Sequence, residues 1–374
     1  MTGSHSGSGT EPGRTGSQTG LEAPPAGIAS GVGSMPGTDI DEACRIVVGE
    51  TPDLPALPEL PARGPAAGMI GRTAGMLADL HVDLQPSGWR VTSAHGLDER
   101  RAVALLRSDL DTFTERAQGC DTAVKVAVTG PLTLAASLEK SSGGALVSDH
   151  GARHELAESL AEGLRELLAD LRSRFPAAQC LLQLDEPMLP EVLSGQVPTP
   201  SGFGSYRSVT TDEARSLLRL VTDQVRAVGA IPMLHSCADT VDVALIAGAG
   251  VSALSIDLDA VSIADGQPRR GLDIDPWCEA VEHGLVVYAG AVAAIDVPTP
   301  VDPVAVTRRL LGFAHWLGLD EEGAARSLGV TPSCGLAGAS PDWARRALEI
   351  CHTVAGNLSG ADVGGDRQDG HHDR

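Results

Sequence analysis

Two cysteines and a histidine are the side chains whose types and spacing could bind a metal ion. His235 and Cys237 lie two residues apart, on either side of Ser236. In an extended strand, residues at i and i+2 point to the same side, so these two side chains would face one point. Cys334 ends a later apolar run. Imidazole and thiolate ligands together favour zinc, which takes four ligands in a tetrahedron.

A fourth ligand in such a set would be a carboxylate. Asp257 is the natural candidate because it ends an apolar run, and Asp259 or Glu186 could take its place. Zinc carries out no redox chemistry, but it lowers the pKa of a bound thiol and holds it as a nucleophilic thiolate. The alternative is that the cysteines are small buried hydrophobic residues. We favour that alternative for the other cysteines, Cys44, Cys120, Cys180, Cys278 and Cys351.

Adjacent carboxylates follow another apolar run, where Asp185 and Glu186 precede Pro187. A carboxylate at the end of a buried strand could bind a substrate ammonium group or act as an acid or base, and burying it without such a role is costly. The alternative role is to cap a helix or fix a loop. Gly33 and Ser34 could offer backbone N–H groups to a substrate carboxylate, or form a plain turn. We predict a catalytic role for Asp185 and substrate binding by Ser34, Asp185 and Glu186.

The elements that must position these residues alternate along the chain. Apolar runs without clean alternation are typical of strands buried on both faces, and they occur at 29–33, 66–71, 124–130, 180–187, 231–237, 253–259, 285–291 and 328–334. Amphipathic segments typical of helices lie at 40–49, 72–80, 97–117, 149–173, 213–228, 240–248, 274–283, 302–317 and 341–354. This βα alternation predicts an α/β fold, a single (β/α)8 TIM-type barrel. Outside it we expect a proline-rich connection at 51–65, a β excursion at 84–95 and a long loop at 186–210.

In a (β/α)8 barrel, the residues that follow the strands converge at one mouth, where the active sites of this fold lie. The candidate residues would therefore meet although they span most of the chain, from Ser34 to Cys334. We expect the barrel to occupy residues 27–356. The flanking segments 1–26 and 357–374 are rich in small and polar residues and are predicted to be disordered tails.

Composition excludes several classes of function. The chain of 374 residues has a net charge of −21, which argues against binding to nucleic acid or to an anionic membrane. No apolar run reaches the roughly 18 residues of a membrane helix, and no basic-then-apolar signal opens the chain. The 7 cysteines are scattered and odd in number, so we expect reduced thiols and a cytoplasmic location.

Five short motifs resemble, in order and spacing, the catalytic C-terminal barrel of cobalamin-independent methionine synthase. They are GSMP at 33–36, QLDEP at 183–187, HSC at 235–237, SID at 255–257 and TPSCGL at 331–336. The resemblance covers roughly residues 27–356. That barrel belongs to a wider superfamily with uroporphyrinogen decarboxylase and zinc-dependent thiol alkyltransferases.

The resemblance implies a zinc-dependent methyltransferase. In the family, zinc held by His, Cys, Glu and Cys takes up the thiol of homocysteine, and the thiolate attacks the methyl group of a methyl-folate to give methionine. Carried over to this chain, the zinc ligands are His235, Cys237 and Cys334, with Asp257 standing where the family has Glu. Zinc is thus the implied cofactor.

The resemblance also implies how the acceptor is held. Asp185 matches the carboxylate that binds the amino-acid ammonium group, and Ser34 lies in the loop near the substrate carboxylate. The expected partners are a small-molecule thiol acceptor and a methyl donor, either a folate, an unknown donor or a separate donor protein. Two features depart from the family: the chain has room for one barrel rather than two, and Ala293–Pro298 replaces the His-Ser-Pro-Arg run after the seventh strand.

Two other functions remain open at this stage. The first is a metal-free enzyme similar to uroporphyrinogen decarboxylase, which would need arginines for substrate carboxylates; Arg72 is the one evident arginine at a predicted strand end. The second is a non-catalytic module that binds a small molecule or a metal, which the missing histidine after the seventh strand favours. A zinc-dependent S-methyltransferase is the leading hypothesis.

Overall fold

A computed structural model describes residues 23–261, 268–269 and 271–360. The tails predicted at both ends fall mostly outside these residues, at 1–22 and 361–374. The last helix continues to Leu358, two residues beyond the predicted limit of the barrel. Among the described residues, no helix is both long and apolar enough to cross a membrane.

The described strands form two sheets. A small antiparallel hairpin consists of β1 (His81–Gln85) and β2 (Gly88–Thr92). The main sheet is parallel, has 6 strands and follows the order of the chain. Its strands are β3 (Ala123–Thr129), β4 (Gln179–Asp185), β5 (Ile231–Ser236), β6 (Ala253–Asp257), β7 (Val286–Val292) and β8 (Leu328–Pro332). Consecutive parallel neighbours joined by helices define an α/β fold.

Helices follow the strands as the alternating pattern predicts. They are α1 (Ile40–Glu50), α2 (Met69–Ala74), α3 (Leu97–Arg116), α4 (Pro131–Ser137), α5 (His150–Arg174), α6 (Leu189–Ser194), α7 (Thr211–Ala227), α8 (Val243–Gly248), α9 (Leu258–Val261), α10 (Asp275–Glu282), α11 (Pro303–Trp316), α12 (Glu321–Ser327) and α13 (Pro341–Leu358). The short helices α4, α6, α9 and α12 were not predicted, because none is long enough to show a helical period.

The six later strand predictions are confirmed by β3–β8, and the β excursion at 84–95 is confirmed by the hairpin. The prediction of a strand at 66–71 is wrong. Those residues belong to a 3₁₀ turn, Pro65–Ala67, and to α2. Their small, apolar side chains serve close packing instead: a Cβ on Gly71 would lie 2.5 Å from the ring of Trp89. The predicted helix at 72–80 accordingly starts earlier and ends at Ala74.

The two edges of the main sheet are connected through two irregular segments, 28–35 and 54–60. Residues in the first segment pair with β8, where the Ser30 N–H donates to the Val330 carbonyl at 3.0 Å. Residues in the second pair with β3, where the Leu57 N–H donates to the Lys125 carbonyl at 2.8 Å. Three isolated parallel bridges make the connections: Ala29 with Val330, Ser34 with Glu59, and Ala56 with Lys125.

The second of these segments lies within the proline-rich connection predicted at 51–65, which forms no strand but makes two isolated bridges, to Ser34 and to Lys125. Proline has no N–H to donate, which prevents a continuous ladder and leaves isolated bridges. Leu54, Leu57 and Leu60 are nevertheless fully buried. The segment therefore contributes to the core in the position where a second strand was expected.

The core lies between the main sheet and the helices around it. Every residue of β3, β5 and β8 is buried, as expected for strands covered on both faces. The predicted leucine stripe of α5 is buried against the sheet, including Leu156, Leu160, Leu164 and Leu168. This packing fixes the strands, and hence the positions of the polar residues at their carboxyl ends.

Truncation of Leu57 tests whether the proline-rich segment is part of the core. Because Leu57 is fully buried, Leu57→Ala should lower the free energy of unfolding by about 3 kcal/mol. Leu97→Ala is the matched control, since Leu97 is 52 % exposed and its loss should cost less than about 0.5 kcal/mol. Urea denaturation measures both. Equal, small effects would show that the segment is a peripheral loop.

Candidate metal and substrate site

Three of the predicted metal ligands meet at the carboxyl ends of β5 and β8. His235 is buried in β5, and Cys237 and Cys334 are half-buried just beyond β5 and β8. One ligand atom from each residue lies within 4.8 Å of the others. The two Sγ atoms are 3.0 Å apart. The parallel sheet thus brings together a histidine and two cysteines from distant parts of the sequence.

The His235 ring is oriented for ligation. Its Nδ1 lies 3.0 Å from the Ser255 hydroxyl, whereas its Nε2 is buried without a hydrogen-bond partner among the described residues. A buried ring nitrogen without a partner is costly, and metal-bound histidines commonly use the second nitrogen for a hydrogen bond of this kind. The residues present therefore fit a metal bound through Nε2 and the two thiolates.

The two thiols are hydrogen-bonded to each other. Cys334 donates to Cys237, and this hydrogen bond lowers the pKa of Cys237 to about 7. The same bond, together with burial, raises the pKa of Cys334 to about 12. One of the two sulfurs is therefore available as a thiolate near neutral pH, the form that binds metals.

Asp257 lies outside the group of three ligands. It ends β6, and its Oδ1 accepts a hydrogen bond of 2.8 Å from the Asp259 N–H, at the start of α9. Burial raises the pKa of Asp257, while Arg309 and His235 act in the opposite direction. Asp259 itself pairs with Arg309 at 2.5 Å. The described residues thus bring together three of the four predicted ligands.

Asp185 lies next to the metal ligands. It ends β4, and in the register of the sheet its partner on β5 is His235. The Gln183 side-chain amide donates to Asp185 Oδ1 at 2.7 Å, and the Lys125 ammonium group donates to Gln183 Oε1 at 2.7 Å. Burial lowers the pKa of Lys125 to about 7 and raises the pKa of Asp185. This buried chain of hydrogen bonds fixes the orientation of the Asp185 carboxyl group.

Glu59 is a second buried carboxyl group near Asp185, and sequence reasoning missed it. Burial raises the pKa of Glu59 to about 7; the nearby Arg72 opposes this shift and Asp185 adds to it. The residue was missed because it lies in the proline-rich segment, which was predicted to be a connection. The available signal was a single acidic residue inside an otherwise apolar run, LPALPEL at 54–60.

Ser34 is held directly beside the loop that carries Cys334. The Leu336 N–H donates to the Ser34 carbonyl at 2.8 Å. A Cβ on Gly335 would lie 2.0 Å from Ser34 Oγ, so any larger residue at this position would displace the Ser34 hydroxyl. The predicted Ser34 turn and the Cys-Gly-Leu motif therefore form one packed unit at the carboxyl end of the sheet.

Glu186 has a different role from its neighbour. One carboxylate oxygen accepts from the Leu132 N–H at 2.8 Å, and the other accepts from the Thr133 N–H at 2.8 Å and the Thr133 hydroxyl at 2.7 Å. Burial raises the pKa of Glu186 to about 7. Both oxygens are thus engaged at the first turn of α4, which favours the helix-capping alternative over substrate binding.

The segment that replaces the family's histidine run serves to anchor α13. Asp296 accepts from the Ser340 N–H at 2.7 Å and from the Ser340 hydroxyl at 2.5 Å, and the Trp343 indole donates to the Ala293 carbonyl at 3.0 Å.

A cavity of about 540 Å³ opens on another side of the site, beside Cys237, and is also lined by Glu191 and Asp239.

A known family model covers nearly the whole described part of the chain. The model of the cobalamin-independent synthase catalytic domain matches residues 28–357. The chain therefore belongs to this family, and the resemblance drawn from its motifs is confirmed. No curated protein matches the chain at a significant level.

One solved structure supports the fold. A B12-independent methionine synthase from Shewanella sp. W3-18-1, in complex with selenomethionine, is similar with a TM-score of 0.58 and 13 % identity, covering 90 % of this chain and 98 % of that one. A chitobiase from Flavobacterium johnsoniae has a TM-score of 0.43 and 12 % identity, covering 90 % of this chain and 51 % of that one. The second likeness is too weak to support any inference.

Removal of the Glu186 carboxylate tests its capping role. Because two backbone N–H groups of α4 would lose their acceptor, Glu186→Ala should lower the free energy of unfolding by about 2 kcal/mol and leave metal content unchanged. Glu158→Ala, on the exposed face of α5, should have little effect. Urea denaturation and metal analysis check both variants. If Glu186→Ala leaves the free energy of unfolding unchanged but weakens substrate binding, Glu186 binds substrate rather than capping α4.

Proposed function

We propose that the chain is a zinc-dependent S-methyltransferase that activates the thiol of homocysteine for attack on a methyl donor, giving methionine. The observation that carries this proposal is the buried His235 Nε2, which has no hydrogen-bond partner among the described residues and belongs to the same small cluster as the two thiols of Cys237 and Cys334. Membership of the synthase family supports the reaction class.

The zinc ligands in this proposal are His235, Cys237 and Cys334, with a fourth position left for Asp257 or for the acceptor. When bound, zinc would lower the pKa of the acceptor thiol and hold it as a thiolate, the nucleophilic form. Ser255 keeps the Nε2 of His235 free through its contact with Nδ1 at 3.0 Å. Asp257 could ligate only by giving up its contact with the Asp259 N–H.

The amino-acid part of the acceptor would be held by the chain's own carboxylates. Asp185 raises the pKa of the buried Glu59 carboxyl group through charge repulsion. A substrate ammonium group between the two carboxylates would relieve this repulsion. Lys125 and Gln183 keep Asp185 in one orientation. Ser34, beside Cys334, is proposed to face the acceptor's carboxylate. Such fixed positioning accelerates reactions between two bound groups.

The donor is proposed to be a methyl-folate, as the family implies, or a methyl group delivered by a separate donor protein. No described residue of 293–298 is a histidine, so proton transfer would depend on other groups. We further propose that the bridged segments 28–35 and 54–60 complete a (β/α)8 barrel over residues 27–356. We also propose a cytoplasmic location, which is consistent with this family.

A decarboxylase acting on a polycarboxylate is supported less well. Arg72, the arginine that this alternative needs, is buried rather than displayed at a strand end. It donates to the Pro58 carbonyl at 3.1 Å and lies 3.9 Å from the Asp109 carboxylate. Asp109 is in turn paired with Arg63 at 2.5 Å. Both arginines therefore share Asp109 as their carboxylate partner within the protein.

Zinc analysis of the purified full-length chain tests the metal centre. Cys237→Ser should lose one equivalent of zinc per chain because it removes one of three ligands, while near-native circular dichroism shows that the fold is retained. Cys278→Ser is the matched control, since Cys278 lies on α10, away from the cluster, and should lose none. Equal zinc content in both variants would refute the proposed centre and make the cysteines packing residues.

Asp185→Asn tests how the acceptor is bound. The amide keeps the size of the side chain but removes the negative charge facing the ammonium group, so zinc content should be unchanged and KM for homocysteine should rise roughly 10-fold or more. Methionine formation is measured with methyl-tetrahydrofolate as the donor, in mono- and triglutamate forms. Saturable homocysteine binding without turnover by the wild type, whichever donor is offered, would favour the non-catalytic module.

A further inference from the structure

A second cluster of potential metal ligands lies away from the strand ends. His81 begins β1, His95 lies just before α3, and Glu99 lies in the first turn of α3. One ligand atom from each lies within 4.8 Å of the others. We propose that these three residues form a second metal site, which takes a divalent transition-metal ion such as zinc.

The geometry is close to that of a coordination shell. The Nδ1 atoms of His81 and His95 lie 3.3 Å and 2.7 Å from the same oxygen of Glu99, Oε1. Ligand atoms about 2.1 Å from a tetrahedral zinc ion are separated by roughly 3.4 Å. Small movements of the two rings would therefore suffice to admit a metal. Two histidines and one glutamate are a known ligand set for zinc with an open fourth position.

The Glu99 carboxylate is fixed before any metal arrives. Its side chain is only 5 % exposed, and its second oxygen, Oε2, accepts from the Val82 N–H at 3.2 Å. Oε1 therefore has a fixed position toward the two imidazoles. A hydrogen bond to the second oxygen of a ligating carboxylate is the usual outer-shell support of a metal site.

The site is also open to solvent on one side. The His95 side chain is 66 % exposed and the His81 side chain is 25 % exposed, so an ion can enter and retain a water ligand. The rings are in contact, with centroids 3.8 Å apart, because both turn toward one oxygen. The net charge of −21 favours the approach of a cation.

A second histidine–glutamate pair with the same four-residue spacing provides a comparison with an exposed surface pair. His154 and Glu158 on α5 are also four residues apart, at 3.5 Å, but both side chains are more than half exposed and no second histidine joins them in the described structure. The cluster at Glu99 differs from this pair in having a buried carboxylate and a third ligand. His154 therefore offers a matched control.

The site connects the hairpin to α3 and shares no residue with the cysteine centre, so the two proposals can fail independently. Metal-stripped full-length Cys237→Ser, which lacks the cysteine centre, is titrated with zinc by calorimetry. We expect one remaining equivalent. Adding His95→Ala should weaken that binding roughly 10-fold or more. Loss of an outer-shell contact already lowers metal affinity by about 10-fold, and loss of a ligand should lower it at least as much. Adding His154→Ala should leave it unchanged.

Cobalt titration distinguishes the two centres by spectroscopy. Cobalt at the cysteine centre gives intense thiolate charge-transfer absorption, whereas cobalt at His81, His95 and Glu99 gives only weak visible bands. Wild type should show both signals, and Cys237→Ser should keep the weak one. Absence of saturable binding to Cys237→Ser, or equal binding with and without His95→Ala, would refute the second site and leave the cluster as a hydrogen-bonded contact. If wild type shows the weak bands but not the intense thiolate absorption, the result would count against the cysteine centre only.

Discussion

Hydrogen bonds between the two edges of the curled sheet are the interaction on which the site depends. The segment 28–35 pairs with β8, the segment 54–60 pairs with β3, and Ser34 pairs with Glu59 between them. These contacts set Ser34 beside the loop of Cys334 and bring Glu59 near Asp185. Without them, the carboxyl ends of β4 and β5 would still be adjacent, but Ser34 and Glu59 would not be held at the site.

The interior of the sheet is polar where it approaches the site, and this polarity has a cost. Lys125 is fully buried, and burial lowers its pKa to about 7 because charge is poorly solvated there. Its hydrogen bonds to Gln183 and to the Gly31 carbonyl offset part of that cost. Satisfied polar networks of this kind give a core a single arrangement. The orientation of Asp185 therefore depends on a buried lysine that is two hydrogen bonds away, through Gln183.

Sequence reasoning predicted those parts of the fold that leave a local pattern. The six buried strands and the long helices have such a pattern. Because the strands are parallel, the residues at their carboxyl ends lie together, and these include His235, Cys237 and Cys334. The second strand position could not be found, because prolines remove the ladder and the run at 66–71 has the composition of a strand but packs as a turn and a helix.

Individual carboxylates were harder to predict than the elements that carry them. Asp185 and Glu186 are adjacent, and the sequence does not distinguish their roles. Successive residues point to opposite sides where a strand ends, so Asp185 faces the candidate site and Glu186 caps α4. Glu59 has no motif of its own, and its position follows only from the pairing of 54–60. Side-chain direction at strand ends is set by tertiary contacts that a local pattern does not record.

The contact between Ser34 and Leu336 also determines when the site can exist. These residues are neighbours in space, but nearly the whole described chain separates them in sequence. Cys237 and Cys334 are themselves 97 residues apart. On the ribosome, β5 and its histidine emerge long before β8. Contacts of such long range form late because the closure entropy of the chain must be overcome first. A nascent chain therefore lacks Cys334 in this cluster until its last strand has docked, so the proposed metal would bind only to the folded molecule.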